Sequence, residues 1–159
     1  LFAGEVRALR DHLALKNRTT WMWGDRFLDG EATGIGKWEA SANGTAPAIR
    51  SVPRDIVIND WHYEIAHPTA LLFALEGFPV LSAPWRRPSV ALRQLDLIRL
   101  ARANSAPAVA TRLQGMLQTT WCGFGAFARA YFGEESRNVN AMEAAAAFRE
   151  LSREVRKLP

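Results

Sequence analysis

Short apolar runs and longer amphipathic stretches alternate along the chain, and this alternation predicts its secondary structure. The first amphipathic stretch, residues 5–16, carries Val6, Leu9 and Leu13 at helical spacing. Four runs rich in β-branched and aromatic residues follow it, which is typical of strands. These predicted strands cover residues 19–23, 55–61, 78–82 and 115–121.

Helical patterns fill most of the intervals between the later predicted strands. Pro68 and Gly77 stand at the beginning and the end of a short apolar stretch, where these residues commonly flank a helix. Ser89 is a typical N-cap for the next predicted helix. Further helices are predicted at 106–112, 124–132 and 140–157, and the last has an apolar face of Met142, Ala145, Phe148, Leu151 and Val155.

Residues 25–53 show little periodicity and are rich in Gly, Ala, Ser, Asn and Thr. Connections of this length in compact domains are usually either functional or disordered. Trp38 lies within this segment and favours an ordered loop.

One helix followed by four strand–loop–helix units predicts an α/β fold with a parallel sheet. Four such units are half of a (β/α)8 TIM barrel, which has about 250 residues. We therefore expect residues 1–159 to be a single partial domain, the C-terminal half of such a barrel, and an open four-stranded sheet is the alternative. The chain begins at Leu1 without a methionine, so we expect a piece of a longer protein.

Composition narrows the range of partners. Of 159 residues, 48% are hydrophobic, enough for a packed core, and the net charge is +4. Lys and Arg are scattered, whereas nucleic-acid binders gather them on one face, so no nucleic-acid partner is expected. No apolar stretch approaches the ~20 residues that span a bilayer, so no membrane partner is expected. The compartment stays undetermined.

Aromatic and polar residues cluster where the predicted strands end, which in a barrel is the active face. Sugars present apolar C–H faces between their hydroxyls, and aromatic walls with a few carboxylates suit them. The sequence therefore predicts a carbohydrate pocket with seven contact residues: Trp23, Asp25, Trp61, His62, Glu64, Trp85 and Trp121.

The sequence also allows three other interpretations of its aromatic and polar residues. The tryptophans could be structural residues of an unrelated α/β domain. His62 with Asp60 and Glu64 could bind a metal ion, but no second ligand cluster accompanies them, so no metal or other cofactor is expected. Cys122 is expected to be an inert thiol, because nothing in the sequence identifies a base beside it.

Four segments, residues 21–28, 56–61, 77–84 and 115–121, resemble the fifth to eighth strand regions of glycoside hydrolase family 20, the β-N-acetylhexosaminidases. They occur in the family's order and span nearly the whole chain. The resemblance implies a retaining hydrolase of terminal N-acetylhexosamine residues, in which the substrate's own acetamido group is the nucleophile. It also implies that Trp23, Trp61 and Trp121 wall the pocket and that Asp25 accepts hydrogen bonds from sugar hydroxyls.

The family's catalytic Asp–Glu pair lies on the fourth strand, so this chain is expected to contain no catalytic residue and to need the missing N-terminal half-barrel. Two positions depart from the family pattern. Gly123 stands where the eighth strand usually carries Glu, and Trp85 is nearest to a position that is usually Tyr. A relative acting on a different sugar and a non-catalytic carbohydrate-binding barrel therefore stay open as alternatives.

Overall fold

The computed structural model describes residues 1–134 and 137–157, which form an α/β fold as the sequence predicts. Its strands and α-helices, in chain order, are α1 (Phe2–Ala14), β1 (Trp21–Trp23), β2 (Val57–Trp61), α2 (Thr69–Leu75), β3 (Val80–Ala83), α3 (Pro88–Asn104), α4 (Pro107–Ala110), β4 (Leu113–Met116), α5 (Phe124–Phe132) and α6 (Val139–Val155). The first predicted strand–loop–helix unit has no α-helix, because only the 3-10 helices Asp25–Phe27 and Ala46–Ser51 lie between β1 and β2. None of the described helices is both long and apolar enough to cross a bilayer.

The four strands form one parallel sheet in the order β1-β2-β3-β4. Trp23 lies opposite Asn59, and Trp61 lies opposite Ala83, so the carboxyl ends of the first three strands stand side by side. Strands in this arrangement each require a crossover, and helices supply it here between β2 and β3 and between β3 and β4.

The main core lies between one face of the sheet and the helices. Ile58, Val80 and Leu113 occupy matching positions on β2, β3 and β4 and share this face. They pack with Phe73 of α2 and Ile98 of α3 in a single buried cluster. Full burial of each such side chain stabilises a fold by about 1.5–3 kcal/mol, so this face holds the sheet and its helices together.

The opposite face of the sheet carries Trp21, Trp23 and Asn59, because successive side chains of a strand point to opposite sides. This face is partly open. Trp21 is 51% exposed and Trp23 is 38% exposed, although both lie on a strand of the sheet.

Gly24 ends β1 at a point where no side chain fits. A Cβ atom there would lie 2.8 Å from a methyl group of Ile58 and 2.8 Å from the ring of Phe73. The backbone N–H of Gly24 also donates to the carbonyl of Asn59 at 3.0 Å. Glycine therefore lets β1 approach β2 and α2 closely just before the chain turns.

The long connection between β1 and β2 is ordered around a narrow neck. Ser41 donates to the carbonyl of Leu28 at 2.8 Å and accepts from Gly30 at 2.8 Å, so the two ends of residues 29–41 meet. The Asp29 carboxylate accepts hydrogen bonds from the backbone N–H groups of Glu31 and Ala32, both at 3.0 Å. We call residues 29–41 the neck loop.

Three further details of the predicted elements were wrong. The fourth strand ends at Met116, and the segment after it continues beside β3 through single backbone hydrogen bonds, such as Leu117 to Ser82 at 2.8 Å. Gly115, with a φ of 126°, adopts a backbone conformation that side chains rarely allow and marks the irregular end of this strand. Helix α3 begins at Pro88, because proline's fixed φ suits the first helical position, and Ser89 is not its cap.

The third error concerns the buried face of α6. Two of the predicted face residues, Ala145 and Leu151, are buried, but Met142 is 48% exposed and Val155 is 41% exposed, and Ala141, Ala144 and Ala147 are buried instead. This helix packs against both α3 and α5. The small alanine side chains let these helices lie close together, so the buried face is richer in alanine than the predicted one.

Candidate functional site

A cavity of about 620 Å³ opens at the carboxyl ends of the strands. It is lined by six aromatic residues and four charged ones: Trp23, Asp25, Trp38, Glu39, Trp61, Tyr63, Glu64, Trp85, Arg86 and Trp121. Six of the seven predicted contact residues are among them, and His62 is not. Five of the six tryptophans of the chain therefore border one hollow.

The aromatic rings form a nearly continuous wall. The rings of Trp23 and Trp121 lie 5.9 Å apart, which joins the end of β1 to the segment after β4. Tyr63 lies 4.8 Å from Trp61 and 5.4 Å from Trp85, measured between ring centroids. These separations are typical of interacting aromatic pairs, which hold one another in fixed orientations.

Trp38 brings the neck loop into the wall. Its ring meets the ring of Trp61 edge-on at 5.8 Å. Trp38 is nevertheless 74% exposed, so one broad apolar surface faces solvent at the mouth of the cavity. An exposed indole held by an aromatic neighbour is available to a ligand without rearrangement of the core.

Each carboxylate of the cavity has a cationic partner. Asp25 accepts from Arg26 at 2.5 Å. Glu64 lies 3.5 Å from Arg86 and also pairs with Arg87. The third acid, Glu39, bonds to His62 and is described below. The cavity therefore offers hydrogen-bond acceptors without a strong excess of negative charge.

His62 lies beneath the cavity, where it is 1% exposed. Its Nδ1 lies 2.9 Å from Glu39, and its Nε2 lies 3.1 Å from Asp60 and 2.7 Å from the hydroxyl of Thr69. Burial opposes the charge of the ring, but the hydrogen bonds to Asp60 and Glu39 outweigh it and raise the pKa of His62 to about 9. His62 therefore reaches the cavity through Glu39 and does not form its surface.

Glu39 is the buried acid of the cavity. One of its oxygens bonds to His62, and the other accepts the backbone N–H of Tyr63 at 2.9 Å. Burial acts to raise the pKa of Glu39, but the hydrogen bonds from His62 and from Tyr63 lower it below the ordinary value. The carboxylate is thus ionised and fixed in orientation at the wall of the cavity.

Four lining residues, Trp38, Glu39, Tyr63 and Arg86, were missed in the sequence. Tyr63 could have been found, because it follows Trp61 by two residues just after the carboxyl end of β2, where the predicted contact residues cluster. Arg86 adjoins Trp85 and stacks over its ring at 4.7 Å. Trp38 and Glu39 belong to a loop without periodicity, and no local pattern places them at the cavity.

Within the described residues, one group of side chains has the composition and spacing of a metal site. Glu39, His62 and His67 each offer a ligand atom, and these atoms lie within 4.8 Å of one another. The sequence analysis considered His62 as a ligand with Asp60 and Glu64, whereas the partners in this group are Glu39 of the neck loop and His67 of the segment after β2.

Comparison of the chain with protein-family models and with curated proteins found no match.

Proposed function

We propose that the chain is the C-terminal half of a (β/α)8 glycoside hydrolase similar to family 20, and that its cavity holds a terminal N-acetylhexosamine. The observation that carries the proposal is the aromatic cavity at the carboxyl ends of the parallel strands. Its volume of about 620 Å³ lies within the 300–1,000 Å³ that is typical of small-ligand sites.

The strand order supports a barrel. Right-handed crossovers that always advance in one direction place every helix on the same face of the sheet, as in a closed barrel. A doubly wound sheet instead reverses its strand order at a switch point. Here the order advances from β1 to β4 without reversal, and α2 and α3 share one core. The face with Trp21 and Trp23 would be the interior that a second half-barrel covers.

The charges favour a neutral, hydroxyl-rich ligand. A cage of aromatic rings also suits a quaternary ammonium ion, but such a site benefits from unpaired negative charge. The acids Asp25, Glu39 and Glu64 all have cationic partners, so they serve better as acceptors for hydroxyl groups. Indole faces then pack against the C–H faces of the ring.

Trp85 offers a group for the acetamido substituent. It borders the cavity, and its indole N–H is buried without a hydrogen-bond partner among residues 1–134 and 137–157. A buried donor without a partner destabilises the fold, and an acceptor that binds to it removes this cost. The acetamido carbonyl is an acceptor of the kind required, and a turn of the buried indole toward the cavity would let Trp85 take the place of the tyrosine in the family.

The proposal is tested by titrating the purified chain with N-acetylglucosamine and following tryptophan fluorescence, with Trp61→Ala and Trp21→Ala as variants. Trp21 lies on β1 near the cavity but does not line it, so it is the matched control. We expect saturable binding that Trp61→Ala weakens about tenfold, the effect of one aromatic contact of ~1.4 kcal/mol, and Trp21→Ala leaves unchanged. Absence of saturable binding, or equal losses in both variants, would refute the proposal.

A further inference from the structure

We infer that Glu39, His62 and His67 form a binding site for a transition-metal dication of the Zn²⁺ class, behind the wall of the cavity. Their ligand atoms lie within 4.8 Å of one another, so a small shift brings all three into contact with one ion. The site does not depend on the identity of the sugar or on the barrel.

The donor set selects the metal. Two imidazole nitrogens and one carboxylate oxygen are a set that zinc commonly takes at three positions, with a water molecule at the fourth. Calcium and magnesium prefer sites composed of oxygen ligands. Imidazole-rich sites with few oxygens therefore favour zinc and its neighbours in the transition series.

The surroundings of His62 orient it for this role. Its Nε2 bonds to Asp60, which is 1% exposed and is itself held by the Thr69 hydroxyl at 2.7 Å. A histidine that ligates a metal usually donates its second ring N–H to a carboxylate in this way. The arrangement leaves Nδ1 directed toward Glu39 at 2.9 Å. The ion would take the place of the Nδ1 proton, which passes to solvent.

His67 provides the third ligand. Its ring lies 4.9 Å from the ring of His62, edge to face, and is only partly buried. In the part of the chain that the structure describes, its imidazole nitrogens make no hydrogen bond, so a ligand nitrogen is free to turn toward the ion.

A bound ion would join two separate segments of the chain, the neck loop and the connection between β2 and α2. Glu39 belongs to the neck loop, His62 follows β2, and His67 directly precedes the residue that caps α2. Coordination would therefore fasten the neck loop, and with it Trp38, to the edge of the sheet. We assign the ion this positioning role at the cavity.

The test is zinc binding by the full chain after treatment with a chelator, measured by calorimetry and by metal analysis of the dialysed protein. His67→Gln removes one ligand, and His12→Gln is the matched control, because His12 is an exposed histidine on α1. We expect one equivalent of Zn²⁺ for the wild type and for His12→Gln. His67→Gln should bind at least about 10–100-fold more weakly, the loss usual for removal of even an outer-shell partner.

Two further measurements sharpen the result. Amide hydrogen exchange in the neck loop should slow when Zn²⁺ is added and should not change with Mg²⁺ or Ca²⁺. Co²⁺ should give the visible absorption of a tetrahedral site in the wild type and not in His67→Gln. Absence of saturable one-to-one binding by the folded wild type, or equal affinity in His67→Gln, would refute the site, whatever the outcome of the sugar titration.

Discussion

The indole N–H of Trp121 donates a hydrogen bond of 2.6 Å to the phenolic oxygen of Tyr63. The two residues are 58 positions apart in the chain, and the bond crosses from the segment after β2 to the segment after β4. Tyr63 also contacts the rings of Trp61 and Trp85. Tyr63 is therefore the residue that fixes the aromatic wall as a single unit.

Tyr63→Phe is expected to destabilise the chain by about 1 kcal/mol, because it removes this hydrogen bond and leaves the indole N–H to find water. The half-exposed position of Trp121 keeps the loss at the lower end of the range. Urea unfolding measures it, with Tyr131→Phe as the control, since the Tyr131 hydroxyl has no hydrogen bond among the described residues. Equal midpoints for the two variants would show that the Trp121–Tyr63 bond does not contribute.

Gly24→Ala should destabilise the fold by roughly 1–3 kcal/mol, the usual cost of overpacking a core. The added methyl group would meet Ile58 and Phe73 at 2.8 Å, and both residues are fully buried and unable to move aside cheaply. Gly4→Ala in α1 is the control, because a Cβ there meets no atom within 4 Å. We expect that control to be neutral or to stabilise by up to about 1 kcal/mol. Thermal or urea unfolding of both variants decides the matter.

The ion pair between Arg10 and Asp55 predicts a pH dependence. Arg10 donates through Nε to both oxygens of Asp55, at 3.1 and 3.0 Å, and ties α1 to the start of β2. These hydrogen bonds hold the pKa of Asp55 below its ordinary value. A carboxyl group whose pKa is lowered by folding stabilises the fold at pH values above its ordinary pKa. This contribution disappears as the pH falls through the lowered pKa.

Asp55→Asn should therefore lower the unfolding midpoint at neutral pH and make no difference in strong acid. Asp96→Asn is the control, because Asp96 is exposed and pairs only at 3.8 Å with Arg99. Urea midpoints measured for both variants from neutral to acidic pH test this. A difference between wild type and Asp55→Asn that stays constant across the range would contradict it.

The chain alone should not hydrolyse a nitrophenyl N-acetylglucosaminide. The acids that line the cavity are all paired with cations, and we expect the Asp–Glu pair that the resemblance implies to lie outside this sequence. Release of nitrophenol by the purified chain would contradict this prediction. Glu39→Gln is then the informative variant, since a loss of that activity would show that it requires the Glu39 carboxylate.

Local sequence patterns were sufficient for much of the fold. The run Ile56–Val57–Ile58 predicts a buried strand, and Trp61 follows it at the carboxyl end as expected. The parallel sheet also follows from the alternation of elements, because crossover chirality leaves few other arrangements. Five of the predicted strand-end and loop residues reach the cavity from the ends of β1 and β2 and from the loop after β3: Trp23, Asp25, Trp61, Glu64 and Trp85.

What the sequence did not reveal depends on contacts between distant segments. Glu39 reaches the cavity because Ser41 pairs with Leu28 and Gly30, and no local pattern encodes that pairing. Met142 and Val155 were wrongly placed on the buried face of α6, because that face is decided by packing against both α3 and α5 and not by hydrophobicity alone. His62 was predicted to contact the ligand, but it is buried beneath the cavity. Its burial depends on hydrogen bonds to both Asp60 and Glu39, and Glu39 is 23 residues away in the chain, so the local sequence does not reveal it.

The closure of the neck loop at Ser41 has an evolutionary consequence. Backbone pairing at the neck closes the loop on itself, so insertions among its exposed residues 31–34 leave the register of β1 and β2 intact. Selection can therefore change the neck loop, which carries Trp38 and Glu39, while the sheet and its helices stay constant. Proteins that share this sheet can in this way diverge in the ligands they accept without a change of fold.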